Sequence, residues 1–215
     1  MWEVGPPTFL TNPVIYRSQH FLSRDREISK VARRAPAYRQ AGFFDKINNM
    51  RQIDTEAAIK KRYPEGVALV VCKDAKGKAS VTPIGWFTLC NSKPRCWAIC
   101  LYNKHYSHNV ISRTREYVLC PPSYSQRKDI LYCGSISGWK EDKLKHCKFK
   151  TVRAKKIKPP ILENSIACFE CKVIKTCNAG DHTIFIGEIL ASYISGRKDK
   201  TYNLGERNLI KWNIK

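Results

Sequence analysis

Strand-length apolar runs separated by turn residues fill most of this chain from residue 66 onward. The run GVALVVC (66–72) reads as a buried strand, and residues 73–78 as a hairpin turn in which Gly77 supplies freedom in φ. Residues 80–89, rich in β-branched and aromatic side chains, predict the next strand. Asn91, Ser92, Lys93 and Pro94 carry turn chemistry, and residues 96–102 predict a strand after it. Tyr106, Ser107 and His108 then open a segment with helical spacing through Val110, Ile111 and Arg115. A short strand at 116–120 is stopped by Pro121 and Pro122. A helix is predicted over 123–132, a flexible loop over 134–138 and a second short helix over 139–146. Residues 148–161 are polar and read as a linker or an extended crossing. The strongest hairpin signal follows: long strands at 165–176 and 182–193, joined by Asn178, Ala179, Gly180 and Asp181. Residues 211–214 suit a last short strand or a docking segment. Many strands with a few helices between them predict a mainly β, antiparallel barrel with helices across its openings.

The first 49 residues differ in character. Gly5, Pro6, Pro7, Pro13 and Pro36 interrupt them, and basic residues are scattered from Arg17 to Arg39 without sustained periodicity. Compact patterning begins just after Met50, with Asp54 placed to cap a short helix over 55–63 that Pro64 and Gly66 stop. We therefore expect a domain over 50–215, preceded by a disordered or extraneous extension over 1–49. A start at Met50 and a cleaved targeting peptide are both readings of that extension.

Composition changes the picture in two ways. The formal net charge is +21, which suits nucleic acid, an anionic small ligand or simply a solvated basic face. No recognisable RNA- or DNA-binding signature accompanies it, so nucleic acid is not the expected partner. The ten cysteines read as mostly reduced small core residues, because a chain this long does not need disulfides and nothing marks it for export. Cys168 and Cys171 have zinc-like spacing. On a strand, residues three apart face opposite ways, so these two cannot readily share one tetrahedral metal, and no metal is expected. No apolar run approaches the roughly 18–20 residues that span a bilayer, so a membrane is not an expected partner either.

Candidate chemistry is sparse. A strand feeding a helix whose first turn carries Ser107, with Lys104 and His105 just before it, can bind an anion through free N–H groups and the positive dipole end. Ser107 can equally be a plain helix cap. Asp181 and His182 form a carboxylate–imidazole pair at the mouth of a strand, in either turn chemistry or catalysis. Trp86, Trp97 and Trp139 can stack on a planar ligand or fill a core.

Five segments, in order, resemble one family. They are GKASVTPIGWFTLCNSKP, NKHYSHNVISRTREYVLCPPS, CGSISGWKEDKLKH, PPILENSIACFECKV and GDHTIFIGEILASY, and they lie within about residues 63–193. Together they are similar to the flavin reductase-like FMN-binding split-barrel proteins, with the last segment the most specific. The resemblance implies an antiparallel barrel that closes on itself and dimerises. FMN would lie in a groove near the subunit interface, and a nicotinamide, a second flavin or a redox partner protein would meet its exposed ring.

By the same resemblance, Ser80, Val81, Thr82 and Pro83 line the ring system through backbone groups. Lys104, Tyr106, Ser107 and His108 sit at the phosphate, Ser137 and Lys143 approach the cofactor, and Asp181 and His182 stand near the flavin or incoming nicotinamide in the catalytic position. Ser80, Pro83 and Gly85 stand where family members often carry Asn, Thr and Ser. His105 and Trp139 stand where Arg is common. Pro83 has no N–H to donate, which implies weaker cofactor binding or electrons arriving from a protein. The expectation is a cytoplasmic homodimer moving hydride between NAD(P)H and flavin. A flavoredoxin-type FMN electron carrier without NAD(P)H use, and a basic nucleic-acid-binding β-barrel without cofactor, are the alternatives.

Overall fold

The computed structural model describes residues 52–214, so the expectation for residues 1–49 lies outside the described residues. The chain enters through α1 (Thr55–Ile59), continued by a 3-10 turn to Arg62. Twelve strands follow among the described residues: β1 (Glu65–Gly66), β2 (Ala68–Lys73), β3 (Ala79–Ile84), β4 (Phe87–Ser92), β5 (Arg95–Tyr102), β6 (Glu116–Cys120), β7 (Thr151–Val152), β8 (Ile161–Leu162), β9 (Ala167–Ala179), β10 (His182–Ile194), β11 (Asp199–Asn203) and β12 (Leu209–Asn213). Between them lie α2 (Tyr106–Thr114), α3 (Arg127–Ser135) and α4 (Lys143–His146).

Seven strands form one antiparallel sheet in the order β3-β2-β6-β9-β10-β5-β4. Its two edges, β3 and β4, are consecutive in the chain and separated only by Gly85 and Trp86. A two-residue link between opposite edges forces the sheet to roll up. No ladder joins those edges, so the barrel is split rather than closed. The sequence pattern predicted one strand over 80–89. Two strands form instead, separated at Gly85 and Trp86, where the chain bends from one edge of the sheet to the other.

Both faces of the central strands are buried. Leu69 and Val71 of β2 join one apolar cluster with Ile130 and Cys133 of α3. Ala68, Val70 and Cys72 join another with Val110 and Ile111 of α2. This is why β2 reads as a continuous apolar run rather than an alternating one. Cys168 falls in the first cluster and Cys171 in the second, on opposite faces as strand geometry requires.

The predicted second short helix is confined to Lys143–His146, and Trp139 lies in the preceding turn. Ser123 opens the 3-10 turn before α3 with a capping box closed by Gln126. The polar crossing is an irregular strap that bears the small β7–β8 ladder. Its residues 155–157 donate backbone N–H groups to the buried carboxylate of Glu170.

Candidate flavin site

α2 begins where β5 ends, and its first turn presents Tyr106 toward β3. His105 precedes it in extended geometry, no side chain caps its free N–H groups, and the first turn carries no acidic residue. The positive end of the helix dipole therefore stays unneutralised by any side chain of that turn. Ser107 is not the cap. Its hydroxyl, 1% exposed, accepts from Thr82 Oγ1 at 3.1 Å and ties α2 to β3. Ser107→Ala is expected to destabilise the fold by about 1 kcal/mol, the usual net value of one buried hydrogen bond. Urea denaturation measures this, and an unchanged midpoint would show that the bond contributes nothing.

A cavity of about 240 Å³ opens beside that junction, walled by Thr82 and Pro83 of β3, His105 and Tyr106, residues 133–138, and Lys143. Lys143 is its most constrained wall group. The residue is 4% exposed, and its ammonium donates to Val81 O at 3.1 Å and Cys133 O at 2.7 Å. Burial pushes its pKa down, with the neighbouring Cys133 and Cys72 thiols acting in the opposite sense. An ammonium has three donors, so one remains for another acceptor. The backbone N–H groups of Ser137 and Gly138 make no hydrogen bond within the described residues. Gly138 permits a close approach: a Cβ there would lie 2.8 Å from Tyr106 Cδ1 and 2.9 Å from Ser80 Oγ. Ser80 Oγ is itself buried without a partner.

Tyr106 is fixed from outside the cavity. Its phenol donates to Asp74 Oδ2 at 2.8 Å, which holds the Asp74 carboxyl below its ordinary range, while burial and Asp74 raise the phenol. Lys78 bonds Gly138 O at 2.7 Å and stands 4.9 Å from the centre of the Tyr106 ring. Trp139, 57% exposed, meets Tyr106 edge-on at 5.0 Å, and its indole N–H reaches Lys104 O at 3.2 Å.

His182 belongs to a second cavity of about 170 Å³, lined by Glu65, Ile84, Gly85, Trp86, residues 100–102, His105 and His182, and Asp181 meets it only through its contact with the imidazole. His105 borders both cavities. Burial, reinforced by the charge of Lys143, lowers its pKa. The Asp181 side chain is 74% exposed, with Oδ1 2.7 Å from His182 Nδ1. The His182 ring lies between Trp86 and Tyr102, with centroids 5.0 and 5.4 Å away.

The structure thus brings Thr82, Pro83, Tyr106, Ser137 and Lys143 together, with Ser80 and Ser107 directly behind them. Val81 turns its side chain into the core and offers its carbonyl to Lys143. Lys104 is exposed and contributes its carbonyl to Trp139. His108 is directed to β10, with Nε2 2.9 Å from Thr183 Oγ1. Thr183 donates its own proton to Asn103 Oδ1, so the network assigns the His108 proton to Nε2. Sequence reasoning placed His105 beside the anion site but missed the lining role of Tyr102 and Gly134, and the Asp74–Tyr106 bond. Asp74 reads locally as a turn residue, and nothing in the pattern ties it to a tyrosine 32 positions away.

A sequence profile described as "flavin reductase like domain" matches residues 60–210. The chain belongs to the flavin reductase-like domain family. It is thereby a flavin oxidoreductase by class. An uncharacterized protein of Archaeoglobus fulgidus is 32% identical to this flavin reductase-like chain over 128 residues, covering 60% of this chain and 71% of that one. The ferric-chelate reductase (NAD(P)H) of the same organism is 26% identical over 137 residues, covering 63% of this chain and 78% of its own. Among solved structures, the FMN-binding protein of Thermus thermophilus with bound 1-cyclohex-2-enone superposes with a TM-score of 0.67. It is 19% identical and covers 75% of this chain and 94% of its own. At that identity the superposition speaks for the fold, an FMN-binding-type split barrel shared by this flavin reductase-like domain.

Proposed function

We propose that the chain binds FMN at the cavity between β3, α2 and the 134–143 segment, and passes reducing equivalents between NAD(P)H and flavin. The observation that carries this reading is the buried ammonium of Lys143, facing a cavity whose other walls offer backbone N–H groups and an uncapped helix N-terminus. That donor set suits a ligand carrying ring carbonyls and a phosphate, so the residues present fit a flavin. When bound, FMN supplies the redox chemistry by taking up a hydride and passing its electrons on.

The chain's own residues bind and orient. Lys143, Ser137 and the Thr82–Pro83 backbone hold one end of the ligand. His105 and Tyr106, with Lys104 nearby, hold the other, while Ser107 behind them ties α2 to β3 and His108 braces α2 against β10. Asp181 and His182 flank the adjoining cavity, where Trp86 and Tyr102 offer aromatic faces to a second planar ring. The names of the relatives support both halves of this reading: one is FMN-binding and another is a ferric-chelate reductase using NAD(P)H. Exposed Ile174 and Leu190 on the neighbouring strands β9 and β10 support a homodimer paired through that part of the sheet. No helix among the described residues is long and apolar enough to cross a membrane.

The test is the visible spectrum of the purified protein, before and after adding FMN and desalting. Retained oxidised-flavin bands that bleach on adding NAD(P)H are expected. Retained flavin that NAD(P)H leaves oxidised would replace the reading with a flavoredoxin-type electron carrier. A protein that neither retains flavin nor oxidises NAD(P)H with added FMN would overturn it.

A further inference from the structure

A third concave surface, of about 610 Å³, lies between the 73–78 turn and the 153–158 strap. Its walls carry the cationic side chains of Lys73, Arg153, Lys155, Lys156 and Lys158, together with Asp74 and Glu116. None of the five cations has an ion-pair or hydrogen-bond partner for its side chain among the described residues. The carboxylates nearby are engaged otherwise. Glu170 takes the backbone N–H groups of residues 155–157, and Glu116 takes the backbone N–H of Lys158 and the ammonium of Lys172. Asp74 takes Lys78 N and the Tyr106 phenol. Acidic groups thus pin the main chain of the strap and leave its cationic heads unneutralised, so several like charges line one groove on a fixed frame. That arrangement costs self-repulsion in the free protein and is relieved by an anionic partner.

We infer that this groove is a docking surface for a protein presenting a carboxylate-rich face. Three observations favour a protein over nucleic acid. No aromatic side chain lines the groove to stack on bases. Two carboxylates stand in its walls, interrupting the continuous positive track that a phosphate backbone follows. One wall residue, Asp74, is bonded to Tyr106, which lines the flavin cavity. A protein seated in the groove therefore lies one side chain away from that cavity. The inference stands whether or not the cavity holds flavin.

The probe is a fluorescent polyglutamate peptide, titrated with the full chain at low and at physiological salt and read by anisotropy. Two double variants are compared with the wild type: Lys155→Glu with Lys156→Glu in the groove, and Lys128→Glu with Lys211→Glu at exposed positions outside it. The two change net charge equally. All four side chains are exposed, and thermal denaturation checks that both variants fold. The expected result is salt-sensitive binding that the groove variant weakens by about tenfold or more, and the control by no more than about threefold. Equal losses in the two variants would show diffuse attraction by net charge and overturn the inference, as would a peptide that fails to bind at low salt. A DNA duplex of matched charge that binds more tightly than the peptide and loses affinity in the same groove variant would reassign the surface to nucleic acid. Flavin retention by the groove variant, read from its visible spectrum, keeps this outcome separate from that of the flavin reading.

Discussion

Glu170→Gln is expected to destabilise the protein by about 1–3 kcal/mol, the cost of leaving buried polar groups without partners. Glu170 is 0% exposed and has no ion-pair partner among the described residues. Its Oε1 accepts from Lys155 N at 2.8 Å and from the Tyr193 phenol. Its Oε2 accepts from Lys156 N at 2.6 Å and Ile157 N at 3.2 Å. Both oxygens serve as acceptors, and a glutamine offers one oxygen and one donating amide. Whichever way that amide turns, it sets a donor against a backbone N–H.

The acid response follows from the same contacts. Burial alone would raise the carboxyl pKa, but the phenol and three N–H groups outweigh it, and the pKa lies below its ordinary range. The folded value is thus below the unfolded value of about 4.3. The stabilisation is present above that pH and is lost as pH falls through the folded value. Denaturant midpoints should therefore differ clearly between wild type and variant at neutral pH, and converge in acid. Equal midpoints at neutral pH would show that the strap does not depend on Glu170.

Gly187→Ala should be at least as damaging, at about 2–4 kcal/mol, as overpacking plus one lost hydrogen bond. Gly187 pairs with Trp97 of β5 and Val173 of β9, beside a register shift in the β9–β10 ladder. A Cβ there would lie 2.5 Å from Tyr117 Oη and 2.7 Å from its Cε1. Tyr117 has nowhere to go: its ring is fully buried, and its phenol donates to Trp97 O at 3.0 Å. Either the ring or the ladder must shift. Guanidinium unfolding reads the loss, and a variant as stable as the wild type would mean that the sheet breathes more freely than its packing allows.

Both residues also show where sequence reading stops. The pattern marked Glu170 as one polar position in a strand, and Gly187 as a glycine inside the chain's most legible hairpin. Neither the strap that closes over the carboxylate nor the tyrosine that fills the space above the glycine is near in sequence. The hairpin itself was legible because its signals are local: two strand-length runs joined by Asn178, Ala179, Gly180 and Asp181. The same holds for α2, for β2 and for the opposite facing of Cys168 and Cys171. The break at Gly85–Trp86 was not legible, because the bend there carries the chain from one sheet edge to the other, and no short window records which edge a strand will join.

The candidate site divides along the same line. Local spacing pointed to the start of α2 as an anion site, and the motifs that resemble the family placed Thr82, Ser137 and Lys143 with it. The sequence by itself determined a β-rich domain and the order of its elements, and it pointed to several of the residues around one cavity. Helix, strand and turn preferences are properties of short windows, and motifs survive in order along a chain. Tertiary structure alone decided that Ser107 braces β3 rather than capping its helix, that Val81 yields its carbonyl to Lys143, that His108 turns to β10, and that His182 faces a separate cavity. Those choices depend on which partners the rolled sheet brings within about 3 Å, and that distance is set by packing between segments many residues apart.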